Sequence, residues 1–339
     1  MRDWEGAFLV EDEHTANAAR NHWKLRLSLC LAACLTIMLA GSPARAFDPF
    51  PVVGGASEHR RILDAGLGCL GQSRPGCWSK AGLDRLESAV RLPDITAITF
   101  WNAAHCDGGD PAPDGVGGRR GAAALEACRD WIRLHLRKAR RAADGLVDAQ
   151  GNPVVARGLT GSFTGPSSSR RQVEFNLGRA IHAAQDFYAH TNWVDRLPVD
   201  SRVSLHNPPG LGSAGPIPWL AADNQDAPPA GLISGCFVFF PESAFCVGRT
   251  RHQDLNKDRR ADATLPPVGG TPRGAIEGNF ARAFDAAAGE TERIWKDFQS
   301  DLIADYGSVR GRAMACVLRG LPPSSCRSID GSTPVTPTN

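Results

Sequence analysis

An all-α fold, a multi-helix bundle with long disulfide-stapled loops, is the class this sequence predicts. Three observations carry it. Apolar residues recur at helical spacing over long stretches, most clearly within 119–147, 171–194 and 274–305. No segment shows the sustained alternation of a strand framework. Long segments rich in Gly, Pro and Asp separate the periodic stretches, and cysteines recur at short intervals around them.

Taken in order, the chain begins with features of export. Lys24 and Arg26 precede an apolar run from Leu27 to Gly41, followed by Ser42-Pro43-Ala44-Arg45-Ala46. Ala44-x-Ala46 is a small-residue cleavage signature and makes Phe47 the expected mature N-terminus. The run is short for a membrane span, which needs about 20 apolar residues. Residues 1–23 carry Glu5, Glu11, Asp12 and Glu13, for which a misassigned start codon is the simplest explanation and an extended signal the alternative. Leu31-Ala32-Ala33-Cys34 has the look of a lipoprotein cleavage site, but the apolar residues after Cys34 argue against it. The expectation is a signal peptide over 1–46, a single helical domain over 47–326, a disordered tail over 327–339, and a secreted or periplasmic protein.

Ser57 reads as the N-cap of a first helix over 57–66. Residues 80–91 make a second, with Leu83, Leu86 and Val90 on one face. The segment 94–118 reads as a loop holding Phe100 and Trp101. A long amphipathic helix over 119–147 follows, through Leu125, Cys128, Trp131, Ile132 and Leu136. Its basic end (Arg133, Arg137, Lys138, Arg140, Arg141) complements the helix dipole and is expected to face solvent. After the polar, Gly-rich 148–169 comes a helix over 171–194. Segment 198–273 is too long for a bland linker, and such loops are often functional. Within it, Cys236 to Cys246 bracket an apolar stretch that reads either as a core-packing hairpin or as a lid contacting lipid or substrate. A last helix runs over 274–305 through Phe280, Phe284, Ile294, Phe298 and Leu302.

Eight cysteines follow the signal segment, and an even number in an exported chain implies disulfides. Connectivity is not fixed by sequence; pairing neighbours gives 69–77, 106–128, 236–246 and 316–326. The alternative, zinc thiolates, lacks any C-x2-C pair. With a net charge of +2 and no basic run interleaved with aromatics, specific nucleic-acid binding is not expected.

The chemistry concentrates in the 171–194 helix, where His182, Asp186 and His190 stand four residues apart, twice in succession. Each such step advances about 6 Å and drifts about 40° around the axis, so all three share one face. Two imidazoles and a carboxylate are good zinc ligands, and a central carboxylate can bridge two ions. His182 and His190 stand roughly 12 Å apart along the axis, too far for one ion. The competing reading is an exposed polar stripe, or an aspartate hydrogen-bonded between two histidines. Flanking Ala, Gln, Phe, Tyr and Trp speak for burial, and buried groups of this kind need partners. Three further clusters offer ligands: Glu58-His59, His105-Cys106-Asp107-Gly108-Gly109-Asp110, and His252 through Asp258. Singly each is weak, since His59 reads equally as a helix-surface histidine and Asp107 and Asp110 as turn formers.

Gly178-Arg179-Ala180 followed by His182-x-x-Gln185-Asp186-Phe187-Tyr188-x-His190-x-Asn192-Trp193-Val194 resembles the signature of the HET-C-related and CinY-like secreted proteins. Glu58-His59, His105-Cys106-Asp107-x-x-Asp110 and Leu255-Asn256-Lys257-Asp258 resemble that family's other blocks, in the same order. The resemblance spans roughly residues 52–300. The family is distantly similar to the all-helical zinc-dependent phospholipases C and single-strand nucleases, which carry three zincs. It implies that His182 and Asp186 bind adjacent zincs. Two departures stand out: those enzymes use an N-terminal Trp where Phe47 stands here, and a His-x3-Glu pair where His252 is followed by Asn256, with Asp254 a possible substitute.

The expected metal ligands are therefore His59, His105, Asp107, Asp110, His182, Asp186, His190 and His252, for two or three zinc ions, with Asp107 as catalytic base. One expectation is a zinc phosphoesterase of phospholipase C type, acting on a phospholipid or another phosphate ester, with peripheral membrane contact through 236–246. The other is a non-catalytic exported scaffold for adhesion or cell–cell recognition, stabilised by structural zinc.

Overall fold

A single helix, its C-terminal half buried on every side, organises the molecule. The computed structural model describes residues 57–68, 76–110, 117–154, 169–238, 241–258 and 271–327. All of these fall in the unit Ala44–Asn339; the other unit, Met1–Pro43, with most of the expected signal segment, lies outside the described residues. So do the 327–339 tail beyond Arg327 and Cys69. The described residues form eleven α-helices and, apart from isolated bridges, no strand. The fold is all-α.

In chain order the helices are α1 (Glu58–Leu67), α2 (Lys80–Val90), α3 (Leu92–Ile95), α4 (Asn102–His105), α5 (Gly117–Ala143), α6 (Ser169–His190), α7 (Glu242–Phe245), α8 (His252–Leu255), α9 (Asn279–Tyr306), α10 (Ser308–Leu318) and α11 (Pro323–Arg327). Ser57 caps α1 by accepting from Arg60 N, and Ser79 caps α2 by accepting from Gly82 N. Every residue of α6 from Ala180 to His190 is buried, as befits a helix packed all round by α2, α5 and α9. Gly178 lets α2 come to backbone contact, because a Cβ there would lie 2.6 Å from Ala89 Cβ. Helix α6 stops four residues short of the predicted end. Beyond it the Asn192 side chain donates to Pro209 O and Gly231 O and accepts from Ile233 N, which draws the chain into the following loop.

The segment read as a loop over 94–118 contains α3, α4 and a 3₁₀ turn at Ala97–Phe100. Pro93 in the first turn of α3 supplies a helical φ without a donor to satisfy. Helix α10 had no counterpart in the periodicity, since Ala313–Leu318 are buried consecutively and present no one-sided stripe. The basic end of α5 does not simply face solvent: Arg140 pairs with Asp301 and Asp305 of α9, and Arg133 donates to Ala221 O.

Within the described residues, disulfides join Cys106 to Cys128, Cys236 to Cys246 and Cys316 to Cys326, as neighbour pairing predicts. Among the described residues the 236–246 loop contains the short helix α7 and no paired strands. Cys236 and Phe237 are buried, whereas Val238, Phe245 and the following Val247 are at least half exposed. No helix among the described residues is long and apolar enough to cross a membrane.

Candidate metal centre

Helix α6 presents His182 and Asp186 to two incoming residues, Asp94 from α3 and His105 from the end of α4. His182 Nε2 and His105 Nδ1 each lie 2.9 Å from Asp186 Oδ2 and 3.1 Å from one another. Asp94 Oδ1 stands 3.7 Å from the first nitrogen and 3.8 Å from the second. All four side chains are buried, and one donor atom from each converges on a common point. This group can hold a metal ion.

His59 approaches from α1 on the other side of the two carboxylates. Its Nε2 is 3.4 Å from Asp94 Oδ2 and 3.7 Å from Asp186 Oδ1. The tautomer is set from behind. Thr291 donates its hydroxyl to Ala287 O and accepts from Gln185 Nε2, so Gln185 turns its oxygen toward His59 Nδ1 at 2.6 Å. His59 Nδ1–H therefore donates, and Nε2 faces the carboxylates. Such outer hydrogen bonds orient metal-ligating histidines. Asp94 and Asp186 thus each direct one oxygen to His105 and His182 and the other to His59.

The second group lies one helical step further along α6. His190 donates Nδ1–H to the carbonyl of His105 at 2.9 Å, with Asp107 Oδ1 3.3 Å from the same nitrogen. His252, at the start of α8, stands with Nδ1 2.9 Å from Asp107 Oδ1. Asn256 accepts from Asp258 N and so directs its amide nitrogen to His252 Nε2. Asp107, His190 and His252 can hold a second ion. The open edge of this group is His190 Nε2, 3.3 Å from Asp258 Oδ1, where neither atom has a hydrogen bond. A cavity of about 10 Å³ joins the two groups, walled by Asp94 and His105 on one side and Asp107, His190 and His252 on the other. Thr99 and Phe237 complete it.

The charges are strongly coupled. Burial opposes ionisation at His59, His105 and His190, but facing carboxylates outweigh it: Asp94 and Asp186 raise His59, Asp186 and Asp94 raise His105, and Asp107 and Asp258 hold His190 well above the usual imidazole value. Burial prevails at His182, which is lowered. Burial also works against the anions Asp186 and Asp107, yet their histidine neighbours keep both far below the ordinary carboxylate range.

Of the eight residues expected from sequence, His105, His182 and Asp186 meet in the first group, with His59 beside them, and Asp107, His190 and His252 in the second. Asp110 stands apart. Its carboxylate is engaged on both oxygens by the Arg249 guanidinium, and burial raises its pKa despite that partner. Asp254 is likewise turned away, toward His206 and the backbone of Arg251. Two aspartates not named as ligands take part instead. Asp94 sits in Leu-Pro-Asp-Ile with no histidine near it in sequence, so nothing marked it. Asp258 closes the Leu255-Asn256-Lys257-Asp258 block, a signal that singled out the segment but not the residue.

No protein-family model matches the chain, and neither a curated protein nor a solved structure matches it.

Proposed function

We propose that the chain is an exported zinc-dependent phosphoesterase whose first zinc is held by Asp94, His105, His182 and Asp186. The spacing of these donors carries the reading. Zinc bonds of about 2.0–2.2 Å place tetrahedral ligands roughly 3.3–3.6 Å apart. Five of the six donor–donor distances in this group run from 2.9 to 3.8 Å, on either side of that edge, and all four donors lie within 4.8 Å of one another. Two imidazoles with two carboxylates also suit zinc better than calcium or magnesium, which prefer all-oxygen sets. Asp94 and Asp186, facing His59 with their second oxygens, support a multinuclear site.

Bound zinc acts as a Lewis acid toward phosphoryl oxygens and acidifies water at the site. The chain's own residues do the rest. Asp107 lines the cavity beside His105 and serves as proton acceptor, oriented by His190 and His252 on its Oδ1. Both segments that line the cavity also carry exposed apolar side chains: Ile95, Phe100 and Trp101 lie near Thr99 in sequence, and Val238, Phe245 and Val247 follow Phe237, each at least 48 % exposed. Apolar side chains exposed in these segments favour a phospholipid over a nucleic acid as substrate, with contact at a lipid surface. Three disulfides support export to an oxidising compartment.

One observation favours a second reading, zinc as a structural element of a non-catalytic scaffold. The cavity has room for about one water, and structural zinc sites are closed. The deciding experiment measures metal by plasma mass spectrometry on protein exported to an oxidising periplasm, beside the His182→Ala/Asp186→Ala variant. Turnover of phosphatidylcholine or a chromogenic phosphodiester is then assayed on the loaded protein. Zinc lost in the variant, together with turnover, supports the enzyme. Zinc that raises Tm without turnover of either substrate supports the scaffold, and absence of zinc ends both.

A further inference from the structure

Cys106 lies between two candidate ligands that point into different groups. His105 reaches Asp186 and His182, whereas Asp107 reaches His190 and His252. Among the described residues Cys106 is the one non-glycine with positive φ, 57° with ψ 30°. Glycine takes this left-handed conformation most readily, because a Cβ crowds the backbone there. A cysteine therefore needs an outside constraint, and it has one. Its sulfur is bonded to Cys128 on α5, both residues being fully buried.

Noncovalent contacts also hold the turn: His105 O accepts from His190 Nδ1, and α4 packs against α5 and α6. Helix α4 is only four residues long and cannot keep its shape alone. Asp107 N donates to Asn102 O within the same turn, and Gly108 N and Gly109 N donate to Gly235 O and Ser234 Oγ of a neighbouring loop. Helix α5, in contrast, packs along the buried central helix that carries His182, Asp186 and His190. The disulfide is thus the covalent tie between that rigid pair and the turn bearing His105 and Asp107.

We infer that the Cys106–Cys128 disulfide is a positioning device for the metal centre, so that cation binding by the folded chain depends on this crosslink in particular. The inference rests on the cation reading of the two groups. Its consequence is an interlock with compartment: a reduced chain assembles the helices but not the complete ligand set. Cys316–Cys326 is the natural control, since it ties α10 to α11, neither of which carries a candidate ligand.

The test compares Zn²⁺ affinity and stoichiometry, far-UV circular dichroism and Tm for the full chain and three double variants. In Cys106→Ala/Cys128→Ala the helices are retained and zinc binds about 10–100-fold more weakly, the scale for losing support behind a ligand. Cys106→Gly/Cys128→Ala relaxes the backbone at 106; it also binds weakly, and it decides the matter if the alanine variant does not fold. Cys316→Ala/Cys326→Ala loses Tm but keeps its zinc affinity. A folded 106/128 variant with unchanged zinc affinity overturns the inference, as does an equal loss in the 316/326 variant. A wild-type chain that binds no zinc overturns the cation reading itself, a distinguishable failure.

Discussion

Asp94→Asn separates a cation site from a hydrogen-bonded polar core. The carboxylate spans the first group, with Oδ1 3.7 and 3.8 Å from His182 and His105 and Oδ2 3.4 Å from His59. An amide keeps the shape but removes the charge that faces His59 and His105 in the ion-free fold. As a ligand it lacks the charge. With free zinc at 100 times Kd, each occupied site contributes about 2.7 kcal/mol, and two sites about 5 kcal/mol. At ~2–4 °C per kcal/mol for a domain of about 150–250 residues, zinc raises the wild-type Tm by roughly 10–20 °C. A first site weakened about a hundredfold contributes only ~0.4 kcal/mol under the same zinc. The variant therefore falls about 5–9 °C below wild type in zinc. In EDTA it falls by less, losing only the charge that faces His59 and His105. Differential scanning calorimetry in the two buffers reads both numbers. An equal drop in zinc and in EDTA refutes the reasoning, because Asp94 would then be a core acceptor and nothing more.

The ion-free protein should show a defined pH response. His59, His105 and His190 hold protons more tightly folded than unfolded, where imidazole titrates near about 6.5. Their contribution is complete below that value and is lost as pH rises through the raised folded values, with the lowered His182 acting in the opposite sense. Asp107 and Asp186 contribute above about pH 3.9 and lose that contribution as pH falls through their depressed values. Tm in EDTA should thus decline from near neutral toward alkaline pH, and zinc, taking the protons' place, should raise Tm more at alkaline than at mildly acidic pH; a pH-independent zinc effect contradicts this. Lys257→Met removes a fully buried ammonium that donates to Thr191 O and Leu255 O and pairs with Asp195 at 3.0 Å. Since Arg273 still faces Asp195, the loss should sit near the low end of the range for broken buried pairs, about 3 kcal/mol by urea unfolding; a loss below about 1 kcal/mol would show that the pair contributes little. Trp101→Ser/Phe245→Ser should abolish co-sedimentation with phosphatidylcholine vesicles, with only the small Tm loss expected from the edge-on Trp101–Trp131 contact; undiminished binding would locate lipid contact elsewhere.

Much of this was legible in the sequence, for a physical reason. Residues four apart on a helix share a face whatever surrounds it, so His182, Asp186 and His190 declared themselves. The same geometry assigned His182 and His190 to separate ions, and they stand in separate groups. Disulfide pairing of near neighbours was legible because short loops bring such cysteines together. The ligands from short elements were harder. Asp94 belongs to a four-residue helix with no periodicity to detect, and only tertiary packing carries it to α6. Asp110 misled because it shares a turn with Asp107, yet the glycines between them let the chain swing it toward Arg249. Helix α10 was hidden by burial on all sides, which erases the stripe on which helix reading depends.

The distances themselves argue that hydrogen bonding alone does not account for the first group. Typical hydrogen bonds to a carboxylate run from about 2.7 to 3.2 Å. Asp94 is buried, yet its contacts with the three imidazoles lie between 3.4 and 3.8 Å, and its Oδ2 has no hydrogen bond. A buried carboxylate held at that range by protons is poorly satisfied, and burying a charge in this way costs several kcal/mol. The neighbouring contacts are no better for protons. His105 Nδ1 and His182 Nε2 both approach Asp186 Oδ2 and stand 3.1 Å from each other. If each carries a proton, the two N–H groups crowd one oxygen and face one another; if one does not, its lone pair faces the carboxylate. A cation between the four donors removes the conflict, because it takes a lone pair from each and needs no proton on any of them. The spacing at Asp94, too long for hydrogen bonds, lies just beyond the roughly 3.3–3.6 Å edge expected between ligands of one zinc.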